Sequence, residues 1–319
     1  MTNIAFVFPG QGSQSVGMLA ELADIYPVVI DSFTQASSRL GYDLWHLVQN
    51  GPENILNQTE HTQAAMLTAD VAIYRLLQKL NPVNAQVMAG HSLGEYAALV
   101  CADALTLEDA AALVARRGQL MQETVPMGQG AMAAIIGLTD AQVIALCEQA
   151  STSSELVTPA NFNAIGQVVI AGHTSAVEQA VALADNHGAR MAKIIPVSVP
   201  CHCSLLNDAA SAFEPYLANT NFKSPKIAVI SNVDLSIYNS PEDIRILLKQ
   251  QLYKPVRWVE TIQFLTSQHI SLVIESGPGK VLSGLIKRID KGLPALCIQD
   301  SASLEQVLSQ LITLEKCCD

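Results

Sequence analysis

Residues 85–100 read Ala-Gln-Val-Met-Ala-Gly-His-Ser-Leu-Gly-Glu-Tyr-Ala-Ala-Leu-Val. The apolar run Ala85 to Ala89 closes on Gly90-His91-Ser92-Leu93-Gly94, and from Glu95 to Val100 strand alternation gives way to a helical pattern. Strand, sharp turn, helix is the setting in which G-x-S-x-G forms an elbow. The turn pushes the serine hydroxyl outward, and glycines on either side avoid a clash. A helix N-terminus behind Ser92 favours negative charge at that point. The bare pattern also fits an ordinary glycine-flanked turn with a capping serine; the strand before it and the helix after it favour the elbow.

Outward from this unit the pattern repeats. Ile4 to Phe8 is a buried-strand candidate ending in Pro9-Gly10-Gln11-Gly12, and helical spacing follows over Ala20 to Ser38 and Ala64 to Leu80. Thr106 can cap a helix from Leu107 to about Glu123, with Glu108 and Asp109 in its first turn; Pro126, Gly128 and Gly130 end it. Between residues 131 and 196 the order becomes strand (Ala131–Gly137), helix (Asp140–Ala150), strand (Leu156–Ala160), strand (Gln167–Ala171), helix (Ser175–His187), strand (Arg190–Pro196). That βαββαβ order predicts a ferredoxin-like α+β subdomain over 128–197, inserted into an α/β core of 1–127 and 198–319. Lys226 to Ser231 and Ser271 to Glu275 read as further buried strands, so the outer segments predict one parallel sheet.

At 319 residues the chain is long enough for about two such units. Half of it is hydrophobic and only 15% is charged, which excludes disordered and fibrous classes. A net charge of −11 argues against nucleic-acid binding by broad phosphate neutralisation. Seven cysteines, odd in number, scattered and without a CxxC pair, fit a reducing compartment. Neither a signal-peptide pattern nor an uninterrupted membrane-length apolar run is visible, so a cytoplasmic protein with no membrane role is expected.

A reactive hydroxyl needs a base. His202 follows the strand-like run Lys193 to Val199, past Pro200, which puts it in a loop at a strand's carboxyl end, where α/β sites gather. His187 at a helix end, His269 before its strand and His46 beside Trp45 are placed less well, and a structural role for His202 stays open. Cys201-His202-Cys203 matches no zinc spacing, so no metal is expected. Arg117 has Leu113, Val114, Leu120 and Met121 at helical spacing around it and therefore points inward. It is either half of a structural ion pair or a clamp for a substrate carboxylate or phosphate.

Taken together, Gly10-Gln-Gly-Ser-Gln14, Gly90-His-Ser-Leu-Gly-Glu95, Arg117, Val197-Ser-Val-Pro-Cys-His202, Gln251-Leu-Tyr-Lys-Pro-Val256 and Gly277-Pro-Gly-Lys-Val-Leu282 resemble the malonyl-CoA:acyl carrier protein transacylase family. The resemblance spans nearly the whole chain, and extends to the acyltransferase domains of polyketide and fatty acid synthases. It implies an α/β-hydrolase-like core with the inserted ferredoxin-like subdomain. It also implies Ser92 as nucleophile, His202 as base, backbone amides of Gln11 and Leu93 as oxyanion hole, and the main-chain carbonyl of Gln251 orienting His202. Arg117 would bind the malonyl carboxylate, with Gln11, His91, Asn161 and Asn163 near the substrate. Ile165, Leu206 and Cys201 stand where proline, methionine and serine are common, a departure that bears on pocket shape.

The implied partners are malonyl-CoA and an acyl carrier protein, with no cofactor beyond the thioester, and a monomer is expected. Carrier proteins are acidic, so Lys280, Lys287, Arg288 and Lys291 around one predicted helix are the expected docking patch. A serine esterase or thioesterase would share the elbow but usually places its histidine late, after the acid. A catalytically silent carrier-binding protein would lack one of Ser92, His202 or Arg117, and all three are present.

Overall fold

The computed structural model describes residues 3–126, 128–197 and 199–316. Cys317 and Cys318, and Met127 and Ser198 at the expected subdomain boundaries, lie outside the described residues; the five described cysteines are free.

The described strands are β1 (Ile4–Phe8), β2 (Ala85–Gly90), β3 (Gly130–Ile136), β4 (Val157–Ala164), β5 (Gln167–His173), β6 (Met191–Ile195), β7 (Ala228–Ile230), β8 (Leu272–Ser276) and β9 (Ala295–Ile298). One sheet has the order β7-β2-β1-β8-β9 with every pair parallel. The other, order β4-β5-β3-β6, is antiparallel throughout. Numbered within its own segment that order is 2-3-1-4, the split-βαβ arrangement the sequence predicts.

Burial of the parallel sheet on both faces explains its strand composition. Ile4, Phe6 and Phe8 of β1 join one apolar cluster, with Met88, Ile274 and the long Thr59–Leu80 helix; Ala5 and Val7 join another, with Val273, Trp258 and Leu282. Successive side chains point to opposite faces, so a strand with helices on both sides must be apolar at every position. β1 is fully buried along its length. Truncating one of its phenylalanines to alanine would cost about 3–5 kcal/mol.

The antiparallel sheet meets loops of the core segments through backbone as well as side chains. Val256 N–H donates to Ala160 O (2.8 Å) and Phe162 N–H to Val256 O (2.9 Å), while Met132, Ala160, Val169 and Ala171 pack on Cys203.

Three elements differ from the sequence reading. The helix expected over Ala20 to Ser38 is two, Ala20–Ile25 and Pro27–Leu40. Pro27 has no N–H to continue the first, and Tyr26 before it is extended (φ −122°, ψ 102°), as a residue preceding proline prefers. The strand expected to stop at Ala160 runs on to Ala164 with register shifts on either side of Asn161, which carries Asn161 and Asn163 on a strand. The parallel sheet also has a fifth strand, β9, whose four residues Ala-Leu-Cys-Ile are too few to show a period.

Candidate active site

The elbow is built by close approach of three chain segments. Ser92 sits at φ 52°, a left-handed conformation that costs about 1–2 kcal/mol in a non-glycine residue. A Cβ on Gly90 would lie 1.9 Å from the Gly94 carbonyl carbon, and one on Gly94 2.0 Å from Phe8 O, so both flanking positions require glycine. Gly10 is equally confined, with His91 O 2.6 Å from where its Cβ would be; the Pro9-Gly10-Gln11 loop thus rests on the elbow. Asn232, just past β7, straps the turn from the other side. Its Oδ1 accepts from Ser92 N–H and its Nδ2 donates to Gly90 O, each at 2.7 Å.

Ser92 Oγ lies 2.7 Å from His202 Nε2, and His202 Nδ1 lies 2.7 Å from the main-chain oxygen of Gln251. A carbonyl oxygen only accepts, so Nδ1 carries the proton and Nε2 is left to take one from the serine hydroxyl. His202 is buried, and burial followed by the nearby Arg117 charge brings its pKa down to about 3. The imidazole is therefore neutral, the form a general base needs. His91 is engaged elsewhere: its Nε2 is 2.8 Å from Asn163 Oδ1, its ring stands edge-on to Trp258, and burial lowers its pKa.

Arg117 is 2% exposed. Its Nη1 donates to Gln63 Oε1 (2.9 Å) and its Nη2 to Gln251 Oε1 (3.0 Å), and its guanidinium stands 5.7 Å from the Tyr96 ring centre. Among the described residues it makes no ion pair with an acid. Of the two readings open from the sequence, the structural ion pair is not found among the described residues. Neutral amides hold the guanidinium without cancelling its charge, and Nε has no hydrogen-bond partner among the described residues.

These groups open on one cavity of about 630 Å³. Gln11, His91, Ser92, Leu93, Arg117, Cys201 and His202 line it on one side, and Met132, Asn161, Asn163, Val169 and Ile195 of the antiparallel sheet on the other. Ile165 lies exposed at the β4–β5 hairpin and Leu206 is buried in the core, so only Cys201 of the three departures faces the cavity. The Gln11 and Leu93 amides donate to no acceptor among the described residues, which leaves both available to a ligand. Lys280, Lys287, Arg288 and Lys291 are exposed on and around the Val281–Ile289 helix, whose Val281, Leu282 and Leu285 reach the cavity. Arg288 is tied to the antiparallel sheet by Nη1 donating to Gln167 Oε1 at 2.5 Å.

Sequence reasoning did not single out Gln63, Asn232 or Tyr238, and gave Glu95 no role. Each is a buried polar side chain engaged with elements far along the chain, a signal that periodicity does not contain. Nowhere among the described residues do three His, Cys, Asp or Glu side chains gather as a metal site would require, and no described helix is long and apolar enough to cross a membrane.

The chain matches the acyl transferase domain family over residues 5–299. It is 50% identical over 310 residues to a malonyl CoA-acyl carrier protein transacylase of Salmonella typhimurium, covering 97% of this chain and 100% of that one. The corresponding protein of Haemophilus influenzae is 51% identical over 313 residues, 98% and 100% of the two chains. Among solved structures, the transacylase of Coxiella burnetii superimposes with a TM-score of 0.95 at 51% identity, covering 97% of this chain and 98% of that one. A malonyl-transacylase solved in complex with a type II polyketide synthase acyl-carrier protein superimposes with a TM-score of 0.95 at 49% identity over 97% and 100% of the chains.

Proposed function

The chain belongs to the malonyl-CoA:acyl carrier protein transacylase family, and from that premise we propose that it moves malonyl from coenzyme A to a carrier thiol by way of a malonyl ester on Ser92. The observation that carries this reading is a buried guanidinium with no acid partner among the described residues, in the same cavity as a serine hydrogen-bonded to a neutral histidine.

In the first half-reaction Ser92 Oγ attacks the thioester carbonyl carbon while His202 Nε2 takes the hydroxyl proton. The carbonyl oxygen gains negative charge and accepts from the Gln11 and Leu93 amides. The C–S bond then breaks, and the departing sulfur receives the proton from His202. In the second half the carrier thiol gives its proton to His202, its sulfur attacks the ester carbon, and Ser92 Oγ leaves and recovers the proton. The Gln251 carbonyl fixes the imidazole tautomer through both halves, in the place a carboxylate holds in a triad. Lys280, Lys287 and Arg288 offer an acidic carrier its docking charge beside the cavity. Mass spectrometry should find malonyl on Ser92 after malonyl-CoA and its loss on adding holo carrier protein. An adduct on another residue would overturn the reading.

Arg117 gives the substrate test. Arg117→Ala should leave the malonyl carboxylate unpaired in a low-dielectric pocket, cutting kcat/KM for malonyl-CoA by about 3–5 kcal/mol, some hundredfold or more. Acetyl-CoA carries no such charge, so its transfer should hold or improve. Arg117→Lys should rescue only partly, because an ammonium keeps the charge and loses the planar fork. Equal loss on both thioesters with a lowered melting temperature would sink the clamp.

A further inference from the structure

Behind Arg117 lies a polar cluster that the proposed steps do not use. The Gln251 side chain is fully buried at the end of the Pro241–Gln251 helix. Its Oε1 accepts from Arg117 Nη2, and its Nε2 donates to both Ser92 O (2.9 Å) and Glu95 Oε2 (2.6 Å). Glu95 is itself fully buried. It accepts from the Tyr238 hydroxyl and the Asn232 backbone N–H, and makes no ion pair among the described residues.

These contacts fix which way the Gln251 amide points. Two acceptors on one side demand its NH₂, and a guanidinium on the other demands its oxygen; the flipped amide would set donor against donor and acceptor against acceptor. The amide also stands between a buried acid and a buried arginine. Were Glu95 to reach Arg117 directly, the pair would neutralise each other, and a substrate carboxylate would have to compete for a guanidinium already paired.

We infer that the Gln251 side chain, oriented by Glu95, is a positioning residue that keeps Arg117 aligned and unpaired for an acyl carboxylate, and so sets the preference for charged over neutral acyl groups. The inference rests on Arg117 being the acyl clamp. It is separate from the role of Gln251 in holding His202, because that role belongs to the main-chain carbonyl, which every substitution at 251 retains.

Gln251→Met keeps the carbonyl and the approximate volume while removing the amide. The readout is the ratio of kcat/KM for malonyl-CoA to that for acetyl-CoA, alongside a melting curve. Loss of one hydrogen bond to a charged group should lower that ratio roughly tenfold or more, through KM for malonyl-CoA. Glu95→Met, which removes the acceptor that orients the amide at similar volume, should shift the ratio in the same direction and answers the question if Gln251→Met does not fold. A ratio unchanged in the folded variants, whether or not both rates fall, overturns the inference. Should Arg117→Ala also leave the ratio unchanged, the clamp itself is wrong; if only Arg117→Ala shifts it, the clamp stands and the Gln251 role does not.

Discussion

Ser92→Ala is expected to end both malonyl labelling and transfer, a loss of roughly 10⁴-fold or more. The reasons are geometric. Ser92 Oγ is the hydroxyl held 2.7 Å from His202 Nε2, on a turn whose conformation is fixed by Gly90, Gly94 and Asn232. Alanine accepts the same left-handed backbone at similar cost, and Asn232 still receives the backbone N–H at position 92, so the fold and the cavity should persist. The variant should therefore still bind malonyl-CoA by calorimetry while showing no mass adduct. Stoichiometric labelling of Ser92→Ala would place the nucleophile elsewhere.

His202→Ala should slow acylation by about 10² to 10⁴, the range for loss of a positioned base, with the fold retained. Near-normal labelling would move the base to another group. A pH profile adds a second constraint. Burial and Arg117 lower the His202 pKa to about 3, so the ring stays neutral through the range near 6.5 where a free imidazole takes up a proton. Acylation should accordingly show no histidine-type fall as pH drops from about 8 to about 5. Burial also pushes Glu95 up to about 7, so Glu95→Gln must be run beside the wild type. A fall near 6.5 that survives Glu95→Gln would mean that His202 titrates like an exposed histidine.

What the sequence disclosed and what it withheld divide along a physical line. The elbow, the Thr106 cap and the βαββαβ order are local: each is written in residues within a few positions of one another, and each is found in the structure. The inward direction of Arg117 was equally readable, being a matter of helical spacing. Its partners were not. Gln63 and Gln251 lie 54 and 134 positions away, and a glutamine carries no signature that marks it as the acceptor for a buried arginine rather than a surface residue. Asn232 strapping Ser92 across 140 positions is the same case. The break at Tyr26–Pro27 differs in kind, since the proline stood in plain view and the apolar periodicity on either side of it masked a boundary that its missing N–H imposes.

The cavity's walls come from two sheets of different history in the chain. Serine, histidine, arginine and both free amides belong to the parallel-sheet side; much of the opposing surface, from Met132 to Ile195, hangs on the antiparallel sheet, one uninterrupted stretch of sequence. The reacting atoms and the guanidinium thus sit in one set of passages of the chain, and much of the wall facing them in another. A change in the apolar part of the cargo can be written in the second, methylene by methylene, while Ser92, His202 and Arg117 in the first keep their spacing.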